Sequence, residues 1–156
     1  MPKLLVSYIS FFYALVTCET SAQSYFVKQH NFIGFQDVNS IVQADNDDFV
    51  LLGESQQTAD GTLYAFIVRT DDEGNILWKK YLDQLSLNLG FQIRKVPGGF
   101  ALLTVGDFIG TRVVTINDDG NVLFPGVQTD SIYTGASFDI DNDDGFVVVA
   151  ENPAKG

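Results

Sequence analysis

The side chains best suited to chemistry in this chain are carboxylates, and they come in four short clusters. Asp45, Asp47 and Asp48 form the first, and Asp71, Asp72 and Glu73 the second. Asp118 and Asp119 form the third, and Asp139, Asp141, Asp143 and Asp144 the last. Calcium requires several hard oxygens on a sharp turn. The run Asp139-x-Asp141-x-Asp143-Asp144-Gly145 is close to that spacing, so Asp139, Asp141 and Asp143 are the candidate metal ligands. Its glycine comes one place late, and Ala150 stands where the last carboxylate of such a loop belongs. The competing use of these residues is turn building, because Asp, Asn and Gly bond their own backbone and tolerate positive φ. No cofactor other than a Ca²⁺ ion is implied.

Groups for catalysis are sparse. His30 is the only histidine, so no zinc site built on several histidines can form, and a Ser-His-Asp triad has a single candidate base. It lies in the connector HNFIGF and reads as a loop residue. Gly-x-Ser-x-Gly, Gly-x-x-x-x-Gly-Lys-Ser/Thr and Cys-x-x-Cys are all absent. Paired carboxylates hydrolyse glycosides when they face each other across a cleft. Here they neighbour one another on turns. The chain therefore reads as non-catalytic. Trp78 is the one tryptophan, suited to stacking on a sugar ring or to packing between layers.

Charge and composition narrow the partners. The chain has 156 residues, 20 acidic and nine basic, for a net charge of −11. Nucleic-acid binding is disfavoured, since phosphate contacts need clustered Lys and Arg. Hydrophobic residues at 46% exclude an ordinary disordered chain. The remaining partner classes are an unknown protein or a glycan.

The N-terminus predicts an address. Met1-Pro2-Lys3 is a short basic start, residues 4–16 (LLVSYISFFYALV) are apolar and uncharged, and residues 17–23 (TCETSAQ) are polar and small. This is the layout of a secretory signal peptide. Thirteen apolar residues are too few for a span, which needs about 20. Cleavage after Gln23 leaves 133 residues with no transmembrane segment and no cysteine, hence no disulfide framework. The expected location is secreted or at the cell surface. Leu15-Val16-Thr17-Cys18 also resembles a bacterial lipobox, although Thr17 stands where that pattern has a small residue. Lipid anchoring through Cys18 is the alternative.

The elements that carry these residues repeat. Residues 40–53 (SIVQADNDDFVLLG), 91–106 (FQIRKVPGGFALLTVG) and 138–150 (FDIDNDDGFVVVA) share one plan: a strand-like run, a tight polar turn, then an aromatic opening an apolar run. The aromatics Phe49, Phe100 and Phe146 stand 51 and 46 residues apart. Residues 65–78 (AFIVRTDDEGNILW) and 113–124 (VVTINDDGNVLF) share a second plan, with Gly74 and Gly120 again 46 apart. A fixed period of this length marks a repeat architecture. The apolar runs are short and rich in Val, Ile and Phe, as strands are. Their continuity predicts burial on both faces, so that each small sheet lies between two others. One unit is then four antiparallel strands, with turns at 45–48, 58–61 and 71–75. The predicted domains are a signal peptide at 1–23, an outer strand and connector at 24–39, and repeats at 40–156.

This pattern resembles bacterial secreted β-propeller repeat proteins with kelch- or WD-like blades. The residues that carry it are Asn46-Asp47-Asp48-Phe49-Val50-Leu51-Leu52-Gly53, Pro97-Gly98-Gly99-Phe100, and the hairpin Asp71-Asp72-Glu73-Gly74-Asn75-Ile76-Leu77-Trp78. With Thr70 before it, the last is also similar to the Asp-box of sialidase-like propellers, a structural hairpin remote from chemistry in that family. Phe124 replaces the tryptophan in the second unit, and the turn glycines are missing at Asp47-Asp48. The resemblance covers about residues 40–150 and implies an all-β, incomplete propeller of about two and a half blades. It implies a structural or binding role outside the cell. Propellers close with four to eight blades, so the expected chain is a fragment whose ring is completed by further blades or by self-association. A free-standing twisted sheet is the alternative fold. The alternative functions are part of a larger secreted glycan-active enzyme and a calcium-stabilised adhesin module.

Overall fold

The structure is a computed structural model that describes residues 29–30, 36–56, 62–83, 87, 89–106, 110–128, 134–141 and 145–151. The predicted signal peptide, Cys18 and the turn at 58–61 lie outside the described residues. The described chain is all β. Sheet 1 comprises β1 (Gln36–Gln43), β2 (Phe49–Gln56), β3 (Leu63–Thr70) and β4 (Ile76–Tyr81). Sheet 2 comprises β5 (Leu89–Val96), β6 (Gly99–Gly106), β7 (Gly110–Ile116) and β8 (Val122–Gln128). Sheet 3 holds β9 (Thr134–Ile140) and β10 (Phe146–Glu151). Every pairing is antiparallel and joins strands consecutive in sequence. No helix among the described residues is long and apolar enough to cross a membrane.

One register recurs in the three sheets. Gln43 faces Phe49, Lys95 faces Phe100 and Ile140 faces Phe146, so each aromatic opens the second strand of its sheet. The first strand of each sheet carries one extra residue at the same place. Asn39 interrupts the β1–β2 register and Phe91 the β5–β6 register. In β9 two residues lie between Thr134 and Ser137 where β10 has one between Glu151 and Val149. A bulge bends its strand and leaves a backbone group outside the ladder. The strands begin several residues earlier than the apolar patterns do, because the segment before each bulge is polar or mixed.

Alternation divides each sheet into a rear face and a forward face. Val50, Leu52, Ala65 and Ile67 of sheet 1 point forward. They pack on Ile93, Phe100, Leu102, Val114 and Ile116 of the rear face of sheet 2. Ala101, Leu103 and Val113 on the forward face of sheet 2 pack on Phe138, with Phe91, Val96 and Val148 around them. All eight residues of β6 are buried, as its continuous apolar run predicts. The same expectation fails for β10, where Val147 and Val149 are exposed. Their run is apolar on both faces, but only the rear face meets a neighbour among the described residues.

Candidate functional site

The acidic turns are built as hairpin hardware. Asp71 Oδ1 accepts the backbone N–H groups of Glu73 at 3.0 Å and Asn75 at 2.7 Å. In the turn 46 residues later, Asn117 Oδ1 accepts those of Asp119 at 3.1 Å and Asn121 at 2.8 Å. Gly74 and Gly120 take φ of 80° and 72° in these turns, a region where a Cβ is strained. The first turn has no glycine, and Asp47 takes the positive φ of 66° itself. Asp is among the few residues that tolerate this.

The candidate calcium loop follows the same plan. Asp141 Oδ1 accepts the Gly145 N–H at 2.8 Å, and Asp139 Oδ1 accepts the Ile140 N–H at 2.9 Å. Asp143 and Asp144 lie outside the described residues. Among the described residues, no three His, Cys, Asp or Glu side chains gather closely enough to hold a metal ion. His30 is exposed, and its Nε2 lies 2.9 Å from the Gly74 carbonyl oxygen.

The most elaborate polar cluster centres on Arg69, which the sequence reading passed over. Its Nε donates to Asp48 Oδ2 at 2.8 Å, its Nη1 to the Asp118 carbonyl at 2.8 Å and its Nη2 to Asn46 Oδ1 at 2.9 Å. Asp48 also accepts from Asn46 Nδ2 at 2.8 Å and is buried. One guanidinium thus ties the β1–β2 turn to the β7–β8 turn of the next sheet. The signal was available: Arg69 is the lone charge in the apolar run AFIVRT, and a cation there must find partners.

Beside this cluster a cleft of about 630 Å³ runs between β4 and the β7–β8 turn. Lys79, Lys80, Tyr81 and Asp83 line one wall, and Gly120, Asn121 and Val122 the other. Lys80 Nζ donates to Asn121 Oδ1 at 2.7 Å and lies 5.8 Å from the Trp78 ring centroid. Lys79 Nζ lies 4.7 Å from the Tyr81 ring. Trp78 itself is half-buried against the core between sheets 1 and 2, and a Cβ at Gly120 would fall 2.8 Å from its ring. Of its two predicted uses, packing between layers is the one its surroundings match. The cleft offers cationic, aromatic, amide and carboxylate groups.

Among the described residues, the Glu54 carboxyl is perturbed. Partial burial, and then the Asp37 carboxylate opposite it, push the Glu54 carboxyl above its ordinary range. The pair sits where sheet 2 places Leu89 opposite Val105.

No protein-family model matches the chain, and no curated protein matches it.

Proposed function

We propose that this chain is an exported, propeller-like array of small sheets with a structural or binding role at the cell surface or outside the cell, without catalysis of its own. The observation that carries the reading is one hydrogen bond made twice. Ser40 Oγ, just after the bulge in β1, accepts the Ile93 N–H of β5 at 3.2 Å. Gln92 Oε1, just after the bulge in β5, accepts the Phe138 N–H of β9 at 2.9 Å. The recurrence of this contact supports a stack of sheets set one on the next in the manner of blades. The basic start and 13-residue apolar run at the N-terminus support export. Recognition of a protein or glycan falls to the turns and to the cleft beside Lys79 and Lys80.

The test has two parts. Residues 1–23 fused to a reporter without a leader are expected to send it out of the cytoplasm, and retention overturns the export reading. The chain applied to glycan and protein arrays is expected to bind saturably and to release no reducing ends from any glycan. Turnover that disappears when a cleft carboxylate is replaced overturns the non-catalytic reading.

A further inference from the structure

The cleft between β4 and the β7–β8 turn holds a cation fixed by neutral groups. Alternation along β4 turns Lys80 to the forward face with Trp78, opposite Ile67 and Arg69 of β3. Its stem crosses Gly120, where a Cβ would fall 3.2 Å from the Lys80 Cδ, and its Nζ lies 5.8 Å from the Trp78 ring centroid. Nζ donates to Asn121 Oδ1 at 2.7 Å. Glycine, indole and amide together hold the ammonium in one place. Arg69 and Lys95, by contrast, pair with the carboxylates of Asp48 and Asp45. In a chain with 20 acidic and nine basic residues, Lys80 rests on a neutral amide. An ammonium carries three donors and a primary amide two, so the pair presents more donors than it uses on itself. An anionic acceptor would complete it.

We infer that this cleft binds a uronate-bearing saccharide, with a ring carboxylate seated on Lys80 and Asn121. A carboxylate accepts from an ammonium and an amide N–H together, and charge-assisted hydrogen bonds are the strong ones. The other groups in the cleft select what that carboxylate is attached to. Asp83 lines the same wall. Its carboxylate accepts from hydroxyls and repels a ligand made of carboxylates alone. Val122 and the bare backbone of Gly120 form the opposite wall, a surface that suits the C–H face of a sugar ring. One anionic group, hydroxyl donors and an apolar face together describe a sugar acid. The volume of about 630 Å³ lies in the range of small-ligand sites. Repulsion from the net charge of −11 is screened beyond about 8 Å at physiological salt, so the local cation decides. The inference deepens the proposed binding role and rests on it.

The full chain is titrated by calorimetry with short oligomers of galacturonate, guluronate and glucuronate. Saturable binding of at least one is expected, with little or none for the methyl ester of the same oligomer. Lys80→Gln and Asn121→Asp each weaken that binding by about tenfold or more, the first by removing the cation and the second by giving it a fixed carboxylate. Arg94→Gln removes the same charge from an exposed position on β5 and should bind within about twofold of the parent. Asn121 is exposed and Lys80 half-buried, so both cleft variants are expected to melt near the parent; Val122→Asp stands in should either fail to fold. No saturable binding of any of the uronates overturns the inference. So does equal affinity for the methyl ester, or an equal loss in Arg94→Gln. A short polyglutamate peptide bound as tightly overturns it too, in favour of acidic protein segments. A neutral glycan or a protein captured on the arrays with no uronate bound sinks the inference and leaves the binding role standing. A uronate that is bound at Lys80 and then cleaved keeps the site and removes the non-catalytic reading.

Discussion

Between sheets 1 and 2 the buried core runs from Ala44, Val50 and Leu52 across to Leu87, Phe100 and Ile116, and Trp78 closes its outer side. Between sheets 2 and 3 it consists of Ala101, Leu103, Val113 and Phe138, flanked by half-buried neighbours. An opening of about 220 Å³ remains there among Val96, Thr115, Leu123 and Phe146. The inner strands meet in the same way in both places, bulge hydrogen bond included. The difference lies at the turns and outer strands. In the first contact, Arg69 reaches the β7–β8 turn and Trp78 lies on Gly120. In the second, Thr115 and Phe124 hold the register positions of Arg69 and Trp78, and Phe124 is exposed. The inner strands therefore set the register of one sheet on the next, and the third and fourth strands seal the contact.

Four measurements test this contrast. The largest effect is expected from Phe100→Ala, which opens a cavity in the sealed contact and should cost about 3–5 kcal/mol in urea unfolding. Phe146→Ala, at the equivalent position on the open contact, should cost well under half as much because the ring is already exposed. Equal losses would abolish the distinction. Next is Arg69→Ala, expected to cost about 2–3 kcal/mol, since it strips the buried Asp48 carboxylate of its charged partner and leaves it the Asn46 amide. Thr115→Ala, its counterpart, should change stability by roughly 0.5 kcal/mol or less.

Gly120→Ala should cost about 1–3 kcal/mol for a side chain at positive φ, and its Cβ would also press on Trp78. Gly98→Ala has a similar φ of 80° but nothing within 4 Å of its Cβ, so it carries the backbone strain alone and should cost less. A smaller loss at Gly120 than at Gly98 would show that Trp78 yields easily and seals little. The smallest effect concerns pH. A carboxyl whose pKa is higher in the folded state than in the unfolded one holds its proton more tightly when folded. Its contribution to stability therefore falls as pH rises from the ordinary Glu range through the raised value. Glu54→Gln should raise the melting temperature at neutral pH, with the gain shrinking as the solution is acidified into that range. A gain that persists unchanged in acid would mean that Asp37 and burial do not act on Glu54.

Much of this was legible along the chain. The Asp-Asp-Glu-Gly-Asn and Asn-Asp-Asp-Gly-Asn turns announce themselves, because positive φ and self-bonding side chains are local demands. The apolar runs between them announce strands for the same reason. The bulges at Asn39 and Phe91 were not legible, since nothing in those side chains distinguishes an extra residue from a paired one. Arg69 was visible as a charge in an apolar run, yet its partners Asp48 and Asp118 lie 21 and 49 residues away.

The sequence by itself determined the strand and turn chemistry and the antiparallel meander within each sheet, because these depend on neighbours a few residues apart. It also predicted burial on both faces for unbroken apolar runs, which holds for β6 and fails for β10. Only the tertiary structure decided which apolar runs find a cover. Phe100 and Phe146 open similar runs, as do Ile93 and Ile41 within their own strands, but one of each pair is sealed and the other is not. Burial depends on what stands one sheet away, and a residue's own neighbours in sequence carry no record of that.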